Sequence, residues 1–252
     1  MKRIIIMGAS SGIGYACAEA LAKRGVKVGV AARHVRSLEE LKKKYPEQVE
    51  YADIDVTKPS AVAKLEALIE KLGGMDIYFH VAGIGYENTS LDPEAEVAVF
   101  NTNTIGFVRC ICAAYRYFRN NHIRGQIAAV TSVAGTNGIA RLSAYSASKA
   151  ADQKWLVALE QLSNNSDAGI TFTDIRPGWV ETPLLTPGNK YPMTMSLEYA
   201  VPLILKAIVR KKRVAVIDWR WNIVVGLWRM IPNVLYTRLN IPISQPDNPL
   251  TE

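Results

Sequence analysis

The chain has 252 residues, of which 49% are hydrophobic and 21% charged, and its formal net charge is +7. This composition excludes a wholly disordered chain, a collagen-like fibre and a polytopic membrane protein, and the length fits one large or two small domains. The cysteines Cys17, Cys110 and Cys112 form no Cys-x-x-Cys pair, so we expect a reducing compartment rather than a secreted disulfide framework.

The positive charge is concentrated towards the end of the sequence. Residues 206–240 contain eight lysines and arginines and one carboxylate, Asp218, and this segment alone accounts for the net charge of +7. A basic segment on a neutral body argues against nucleic-acid binding as the main function. It leaves open a local anionic partner such as a membrane surface.

The first apolar run follows Met1-Lys2-Arg3 and extends from Ile4 to Met7. It is shorter than the about 7–15 apolar residues of a signal peptide, so we interpret it as a strand. No uninterrupted apolar run approaches the roughly 18 residues that a membrane span requires. We therefore expect a cytoplasmic protein.

Short apolar strands alternate with longer helical patterns, and we find no internal repeat. This alternation predicts an α/β fold: a single Rossmann-type, doubly wound parallel sheet of about seven strands with helices on both faces. We predict one domain over residues 1–218 and an apolar helical tail over residues 219–252. The predicted strands are 3–7, 27–32, 50–54, 75–81, 126–131, 171–175 and 214–217; the predicted helices are 13–24, 37–44, 59–72, 94–120, 144–163 and 196–211.

A glycine-rich loop joins the first predicted strand to the first predicted helix. Residues 8–14 read Gly-Ala-Ser-Ser-Gly-Ile-Gly, whose glycine spacing differs from the G-x-G-x-x-G of the commoner dinucleotide fingerprint. Glycines permit a close approach of the backbone to a pyrophosphate, and the amino end of the helix offers free N–H groups. The alternative is an ordinary strand-to-helix turn. The residues expected to bind the cofactor here are Gly8, Ser10, Ser11, Gly12, Ile13 and Gly14.

The end of the second strand bears on the choice of cofactor. An NAD site carries an acidic residue about 20 residues past the glycines, whereas this chain has Arg33, 19 residues after Gly14. A guanidinium suits a 2′-phosphate, so we predict NADP(H), with NAD(H) as the alternative. Arg33 can also be read as an ordinary solvated charge.

Asp55 and Val56 directly follow the third predicted strand. We expect Asp55 to accept a hydrogen bond from the adenine amino group and Val56 to pack on the ring. The alternative is that Asp55 or Thr57 caps the following helix.

The candidate catalytic residues are Ser132, Tyr145 and Lys149. Tyr145 and Lys149 are four residues apart in a predicted helix, so they share one face. A lysine ammonium near a phenol favours the phenolate, and such a pair is a usable general acid/base. A serine hydroxyl nearby can stabilise charge that grows on a substrate oxygen. The alternative is a surface Tyr/Lys pair beside a strand-end serine.

The order and spacing of these motifs resemble the short-chain dehydrogenase/reductase family, over about residues 4–216. The resemblance rests on the glycine loop, Ser132, Tyr145-x-x-x-Lys149 and the Pro-Gly-Trp-Val-Glu-Thr sequence of residues 177–182. It implies that Tyr145 transfers the proton, that Lys149 supports it and holds the nicotinamide ribose, and that Ser132 orients the substrate oxygen. It also implies that Asn103 supports a proton relay to the lysine; Asn101 is a nearby alternative, but the spacing to the following glycine favours Asn103. The resemblance further assigns Ala82, Gly83, Pro177, Gly178, Val180 and Thr182 to the cofactor site.

One motif departs from the family. Residues 80–83 read His-Val-Ala-Gly where the family usually has Asn-Asn-Ala-Gly. We expect His80 to be structural rather than catalytic. The histidines are too scattered in the sequence to suggest a metal site.

The tail is rich in tryptophan and arginine. Residues 219–239 contain three of the five tryptophans, and their pattern predicts an amphipathic helical hairpin broken at Pro232. The alternatives are packing on the body or in a dimer interface, a lid over an apolar substrate, and a membrane anchor through residues 219–240. With the loop at residues 181–195, the tail would form an apolar pocket.

We therefore predict an NADP(H)-dependent oxidoreductase that acts on a small-molecule carbonyl or alcohol, in particular a lipophilic ketone or aldehyde. The alternatives are an NAD(H)-dependent alcohol or steroid-type dehydrogenase, a non-catalytic nucleotide-sensing protein, and a peripheral membrane protein. The family resemblance also implies a homodimer or homotetramer through helices near 94–120 and 144–163.

Overall fold

The computed structural model describes residues 2–166 and 168–239, so residues 240–252 of the predicted tail lie outside the described residues. The described chain forms one seven-stranded sheet in which all neighbouring strands are parallel. The strands are β1 (Arg3–Met7), β2 (Lys27–Ala32), β3 (Val49–Asp53), β4 (Ile77–His80), β5 (Gln126–Val130), β6 (Thr171–Pro177) and β7 (Val214–Ile217). The predicted doubly wound α/β fold is confirmed.

The helices follow the predicted pattern with one interruption. The predicted helix at 94–120 is divided by a π-helical segment at Asn101–Gly106. Two short 3-10 turns, Val133–Gly135 and Ala140–Leu142, precede the long α6. The helices are α1 (Gly12–Ala22), α2 (Arg36–Lys44), α3 (Ala61–Lys71), α4 (Pro93–Phe100), α5 (Phe107–Asn120), α6 (Ser143–Asn165), α7 (Leu197–Val209), α8 (Trp219–Met230) and α9 (Asn233–Tyr236).

Both faces of the sheet are buried. Ile5 and Ile6 of β1 are fully inaccessible, although neighbouring residues of a strand point to opposite faces. Ile6 belongs to the core layer that contains α1 and α7, and Ile5 to the layer that contains α3 and α5. Burial on both faces explains why β1 is continuously apolar in sequence.

The strand order, β3-β2-β1-β4-β5-β6-β7, reverses direction next to β1. Met7 at the end of β1 is in register with Ala31 on one side and His80 on the other. Such a reversal leaves a crevice beyond the carboxyl ends of the strands, where ligands bind in folds of this type. The loop at residues 8–14 lies at this point.

Among the described residues, one helical stretch, Pro93–Asn120, is long and apolar enough to cross a membrane by length and composition. Half of its most apolar window is buried inside the protein, and Ile111 and Phe118 belong to the core beside the sheet. We therefore interpret its apolar character as that of a core helix.

The fold divides the basic segment that the sequence presents as one unit. Residues 210–213 precede β7 and lie at the amino edge of the sheet, whereas α8 begins after the carboxyl end of β7. The two parts are separated by the length of a four-residue strand, about 13 Å. The tail itself therefore carries the charges of Arg220, Arg229 and Arg238.

Two glycines in helical segments provide a test of the packing around the crevice. A Cβ on Gly106 would lie 2.6 Å from Val56 Cγ2, whereas a Cβ on Gly226 would meet nothing within 4 Å. We expect Gly106→Ala to lower the free energy of unfolding by about 1–3 kcal/mol because the added methyl group would overpack the site. Gly226→Ala should raise it by roughly 0.5–1 kcal/mol because glycine is a poor helix former. Urea denaturation measures both, and equal effects would contradict this packing.

Candidate active site

A cleft of about 740 Å³ opens at the carboxyl edge of the sheet. Most of the residues singled out in the sequence lie on its wall. Gly14, Asp55 and Asn103 are not on the wall and belong to the structure around it. The wall contains Gly8, Ser10, Ser11, Gly12, Ile13, Arg33, Val56, Ala82, Gly83, Ser132, Tyr145, Lys149, Pro177, Gly178, Val180 and Thr182.

Steric constraints explain the glycines of the loop. Gly8 and Gly12 have φ values of 92° and 54°, which residues with a side chain rarely adopt. A Cβ on Gly14 would collide with the carbonyl oxygen of Gly8. Within the described part of the chain, no side chain caps the amino end of α1 at Ser11. The N–H groups of that helix end are therefore available to an anion in the cleft.

Arg33 lies at the end of β2, exposed on the wall of the cleft. Asp55 lies close enough for the two charges to interact. Partial burial acts to raise the pKa of Asp55, but hydrogen bonds from Thr57 and the charge of Arg33 outweigh it and lower the pKa below its ordinary value. Asp55 Oδ1 accepts from the backbone N of Thr57 at 3.0 Å and from its hydroxyl at 2.7 Å. Because α3 begins only at Ala61, the alternative that Asp55 or Thr57 caps this helix is wrong.

Tyr145 and Lys149 lie one turn apart on α6. The ammonium nitrogen of Lys149 is 5.8 Å from the centroid of the Tyr145 ring. Lys149 is buried, donates to the carbonyl oxygen of Val130 at 3.1 Å, and lies 3.8 Å from Asp152 Oδ2. The backbone of Gly85 packs against the tyrosine ring, since a Cβ there would be 2.8 Å from Tyr145 Cδ2. The phenol is thus held next to a fixed positive charge.

Ser132 follows β5 and forms the start of the 3-10 turn Val133–Gly135. Its hydroxyl oxygen accepts from the backbone N of Ala134 at 3.1 Å and lies on the same wall as Tyr145. The side chain of Gln153 on α6 donates to the carbonyl oxygen of Ser132 at 2.7 Å. A Cβ on Gly135 would lie 2.8 Å from the backbone carbon of Lys149. The turn that carries Ser132 is therefore packed directly on the helix that carries Tyr145 and Lys149.

Asn103 lies in the π-helical segment and is fully buried. Its amide accepts from the backbone N of Ile84 and donates to the carbonyl oxygen of Ile84, both at 2.8 Å. It also donates to Ser148 on α6 at 3.1 Å. A Cβ on Gly83 would be 3.3 Å from Asn103 Oδ1 and 3.5 Å from Lys149 Nζ. Asn103 therefore joins the loop after β4 to α6 beside the lysine.

His80 ends β4 and is fully buried behind the cleft. Its Nδ1 lies 2.9 Å from the hydroxyl oxygen of Tyr78, and its ring packs edge-on against Phe107. Burial, followed by the charge of Lys149, lowers the pKa of His80 to about 3. The ring is thus neutral at physiological pH, in agreement with a structural rather than an acid–base role.

The far end of the cleft is aromatic. Trp221 and Trp228 of α8 lie on its wall together with Trp179 and Tyr191. The ring centroids of Trp179 and Tyr191 are 4.6 Å apart. Any side chain at Gly178 would overlap the ring of Trp221. The tail breaks at Pro232, as the sequence predicts, and its inner face packs on the body and forms part of the pocket.

The family model for short chain dehydrogenases matches residues 2–191 of this chain. The chain belongs to the short-chain dehydrogenase family. An uncharacterized oxidoreductase from Myxococcus xanthus is 32% identical over 243 residues, which cover 93% of this chain and 94% of that protein. This chain is therefore an oxidoreductase of the short-chain dehydrogenase family, as the motifs predict.

Two further relatives of this short-chain dehydrogenase are named for a substrate or solved with a cofactor. The farnesol dehydrogenase of Aedes aegypti is 32% identical over 198 residues, covering 73% of this chain and 79% of that protein. The structure of an actinorhodin polyketide ketoreductase with NADPH is similar, with a TM-score of 0.65 and 29% identity over 73% of this chain and 72% of that one.

Sequence reasoning missed Asp152 of this dehydrogenase. Its carboxyl group is buried beside Lys149, one helical turn further along α6. Burial raises the pKa of Asp152 to about 7, although the charge of Lys149 and the hydroxyl of Thr104 act to lower it and Asp174 acts to raise it further. The signal was available, because an acid three residues after a lysine shares its helix face.

The pKa of Asp152 predicts a pH dependence of stability. Between pH 4 and about 7 the folded protein retains a proton that the unfolded chain releases, so this group's contribution to stability falls as the pH rises through that interval. Asp152→Asn lacks this contribution. We expect the unfolding free energy of wild type, measured relative to that of the variant, to fall by on the order of a few kcal/mol between pH 4 and 7. Above pH 7 this difference should level off. Urea denaturation at several pH values measures the difference, and parallel profiles would contradict it.

Proposed function

We propose that this short-chain dehydrogenase uses NADP(H) to interconvert a lipophilic ketone or aldehyde and its alcohol, with reduction as the physiological direction. The observation that carries the proposal is the meeting of Ser132, Tyr145 and Lys149 on one wall of the cleft, between the glycine loop and the aromatic end. A phenol beside a buried ammonium is suited to transfer a proton to a carbonyl oxygen.

The chemistry of the cleft wall suits a dinucleotide. Close contacts within the protein require the glycines at 8 and 14, and the amino end of α1 is open to a pyrophosphate. When bound, the nicotinamide supplies the hydride for reduction or accepts it in the reverse direction. We assign the remaining contacts of the cofactor to Val56 and Asp55 at the adenine end, Ala82 and Gly83 at the ribose, and Pro177, Gly178, Val180 and Thr182 at the nicotinamide end.

The proton chemistry is assigned to the three residues on the wall. In reduction, the Tyr145 hydroxyl gives its proton to the substrate oxygen as the carbonyl carbon gains the hydride. The ammonium group of Lys149 stabilises the phenolate that remains, and the hydroxyl of Ser132 hydrogen-bonds the substrate oxygen as charge grows on it. Asn103 is hydrogen-bonded to Ile84 in the loop after β4. We assign to it the support of a water-mediated return of a proton to Tyr145 and Lys149.

Arg33 supports NADP(H) over NAD(H). It is the charged residue at the end of β2 on the wall of the cleft, where a guanidinium can bind a 2′-phosphate and an acid would repel it. The related polyketide ketoreductase was solved with NADPH, which agrees with this choice.

The aromatic end supports a lipophilic substrate. Trp179, Tyr191 and Trp228 line the part of the cleft beyond Tyr145, and an apolar pocket with few polar groups favours an apolar ligand. The related farnesol dehydrogenase is named for such an alcohol. A nucleotide sensor would need the glycine loop but not the combination of Ser132, Tyr145 and Lys149.

We also propose a homodimer or homotetramer in a reducing, cytoplasmic environment, built from a catalytic unit of residues 1–218 and the tail. Val97, Phe100 and Ile105 on the α4–α5 side and Val157 on α6 are exposed apolar residues, which an interface between copies would cover. The cysteines are unpaired, as in proteins of reducing compartments.

Removal of the Tyr145 hydroxyl tests the proton transfer. We expect Tyr145→Phe to lower kcat for carbonyl reduction by at least about 100-fold, since a general acid contributes on the order of 10²–10⁴-fold, while NADPH binding followed by fluorescence persists. Tyr199→Phe, which removes a phenol on α7 away from the cleft, is the matched control and should retain activity. Undiminished turnover by Tyr145→Phe on a confirmed substrate would remove this residue from the mechanism.

Charge reversal at residue 33 tests the choice of cofactor. We expect Arg33→Asp to lower the ratio of kcat/KM with NADPH to kcat/KM with NADH by roughly 10–100-fold, because a hydrogen bond to a charged group contributes about 1.5–3 kcal/mol. Arg24→Asp makes the same charge change at an exposed position in the turn after α1 and should leave the ratio unaltered. A wild-type preference for NADH would refute the assignment of Arg33.

A further inference from the structure

The outer face of the tail is apolar and exposed. Trp219, Ile223, Leu227 and Met230 of α8 are 67%, 55%, 59% and 78% exposed. At about 100° per residue, these four positions fall within an arc of about 80° on one side of the helix. Three apolar residues on and just after α9, Val234, Leu235 and Leu239, are also exposed. We call these seven residues the outer tail face.

The opposite side of α8 packs on the protein core and on the cleft. Trp221 and Val225 are buried against the body, and Trp228 lines the cleft. These positions lie roughly 180° from the outer tail face. Packing of α8 on the body therefore explains its inner side and leaves the outer side without an apolar partner among the described residues.

Positive charge borders this apolar surface. Arg220 follows the arc on one side and Arg229 on the other, and Arg238 lies on the segment after α9. Arg220 is paired with Asp218, which caps α8. Residues 219–239 themselves contain no aspartate or glutamate. An apolar helix face between arginines, with tryptophan at one end, matches a helix that lies in the interface of an anionic membrane.

We propose that the outer tail face docks on the surface of an anionic phospholipid membrane. Charge favours this occupant over a second copy of the chain. Pairing of two such faces would bring Arg229 and Arg238 of both copies together with no carboxylate of residues 219–239 to compensate them. An anionic headgroup layer compensates these arginines while the acyl region covers Ile223 and Leu227.

Docking on this face would bring the membrane close to the aromatic end of the cleft. The side chain of Asn137 donates to the backbone oxygen of Trp228 at 3.0 Å, and Tyr236 donates to the backbone oxygen of Gly138 at 2.8 Å. The tail is thus joined to the loop before Ile139, which lines the cleft. This second step rests on the proposed function: a lipophilic carbonyl dissolved in the bilayer would enter the cleft beside α8.

Vesicle co-sedimentation of the full-length protein tests the docking. We expect at least tenfold stronger partitioning onto phosphatidylglycerol/phosphatidylcholine vesicles than onto phosphatidylcholine alone. Leu227→Glu should reduce binding to the anionic vesicles at least tenfold, and Arg229→Glu should reduce it similarly. Val209→Glu is the matched control, since Val209 is an exposed apolar residue at the end of α7 and its variant should bind as wild type does.

Two outcomes would overturn the proposal. One is a wild-type protein that does not bind anionic vesicles. The other is a Leu227→Glu variant that binds them undiminished. If Leu227→Glu instead converts a larger oligomer to a smaller one in light scattering, with no vesicle binding by wild type, the outer tail face is an interface between copies.

Activity assays separate this proposal from the proposed function, because sedimentation requires no turnover. With hexanal in solution, Leu227→Glu and Val209→Glu should reduce it at the wild-type rate. With hexadecanal presented in anionic vesicles, Leu227→Glu should be several-fold slower than Val209→Glu. Equal rates in vesicles would refute substrate entry from the bilayer, whereas absence of turnover by every variant would refute reduction of aliphatic aldehydes and leave the docking result intact.

Discussion

The buried ammonium group of Lys149 is the constraint on which the candidate site depends. Removal of a charge from water is costly unless polar groups replace the lost hydration, and Lys149 is almost inaccessible. The carbonyl oxygen of Val130 at the end of β5 accepts a hydrogen bond from it, and the carboxyl group of Asp152 lies 3.8 Å away. Because the carbonyl belongs to the central sheet, the lysine is fixed relative to the strands, and the phenol one turn earlier is fixed with it.

The same constraint connects the two ends of the cleft. The 3-10 turn that carries Ser132 packs without an intervening side chain on the backbone of α6 at Lys149, and the loop after β4 is joined to α6 through Asn103. The glycine loop meets this loop directly, since a Cβ on Gly8 would overlap the backbone of Ala82. The glycine loop and the elements that carry Ser132, Tyr145 and Lys149 are therefore held in contact by backbone packing, which leaves little freedom for either to move alone.

Patterns of local origin made most of the fold predictable. The bounds of β1, β2 and β7 follow from short apolar runs between turn residues, and they agree with the structure. The π-helical segment at Asn101–Gly106 was not predictable, because the apolar period runs through it and the cause is tertiary: Gly106 packs against Val56, and Asn103 binds the loop at Ile84. The basic segment was misleading for a similar reason, since charges close in sequence are separated by β7 in space.

In the site, motif spacing located the glycine loop, Ser132, Tyr145 and Lys149 on one cleft, whereas the burial that makes Asp152 unusual depends on packing from other elements.

Trp221 of α8 packs over Gly178, so the tail forms part of the pocket next to the candidate catalytic residues. The candidate catalytic residues lie on a strand end and α6, in the middle of the chain, whereas Trp221 and Trp228 of the far pocket come from a helix added after the last strand. Exchange of that helix between relatives would change the shape of this pocket while Ser132, Tyr145 and Lys149 stay in place. Under the proposed function, part of the selectivity thus belongs to an appendage that can vary independently of the candidate catalytic residues.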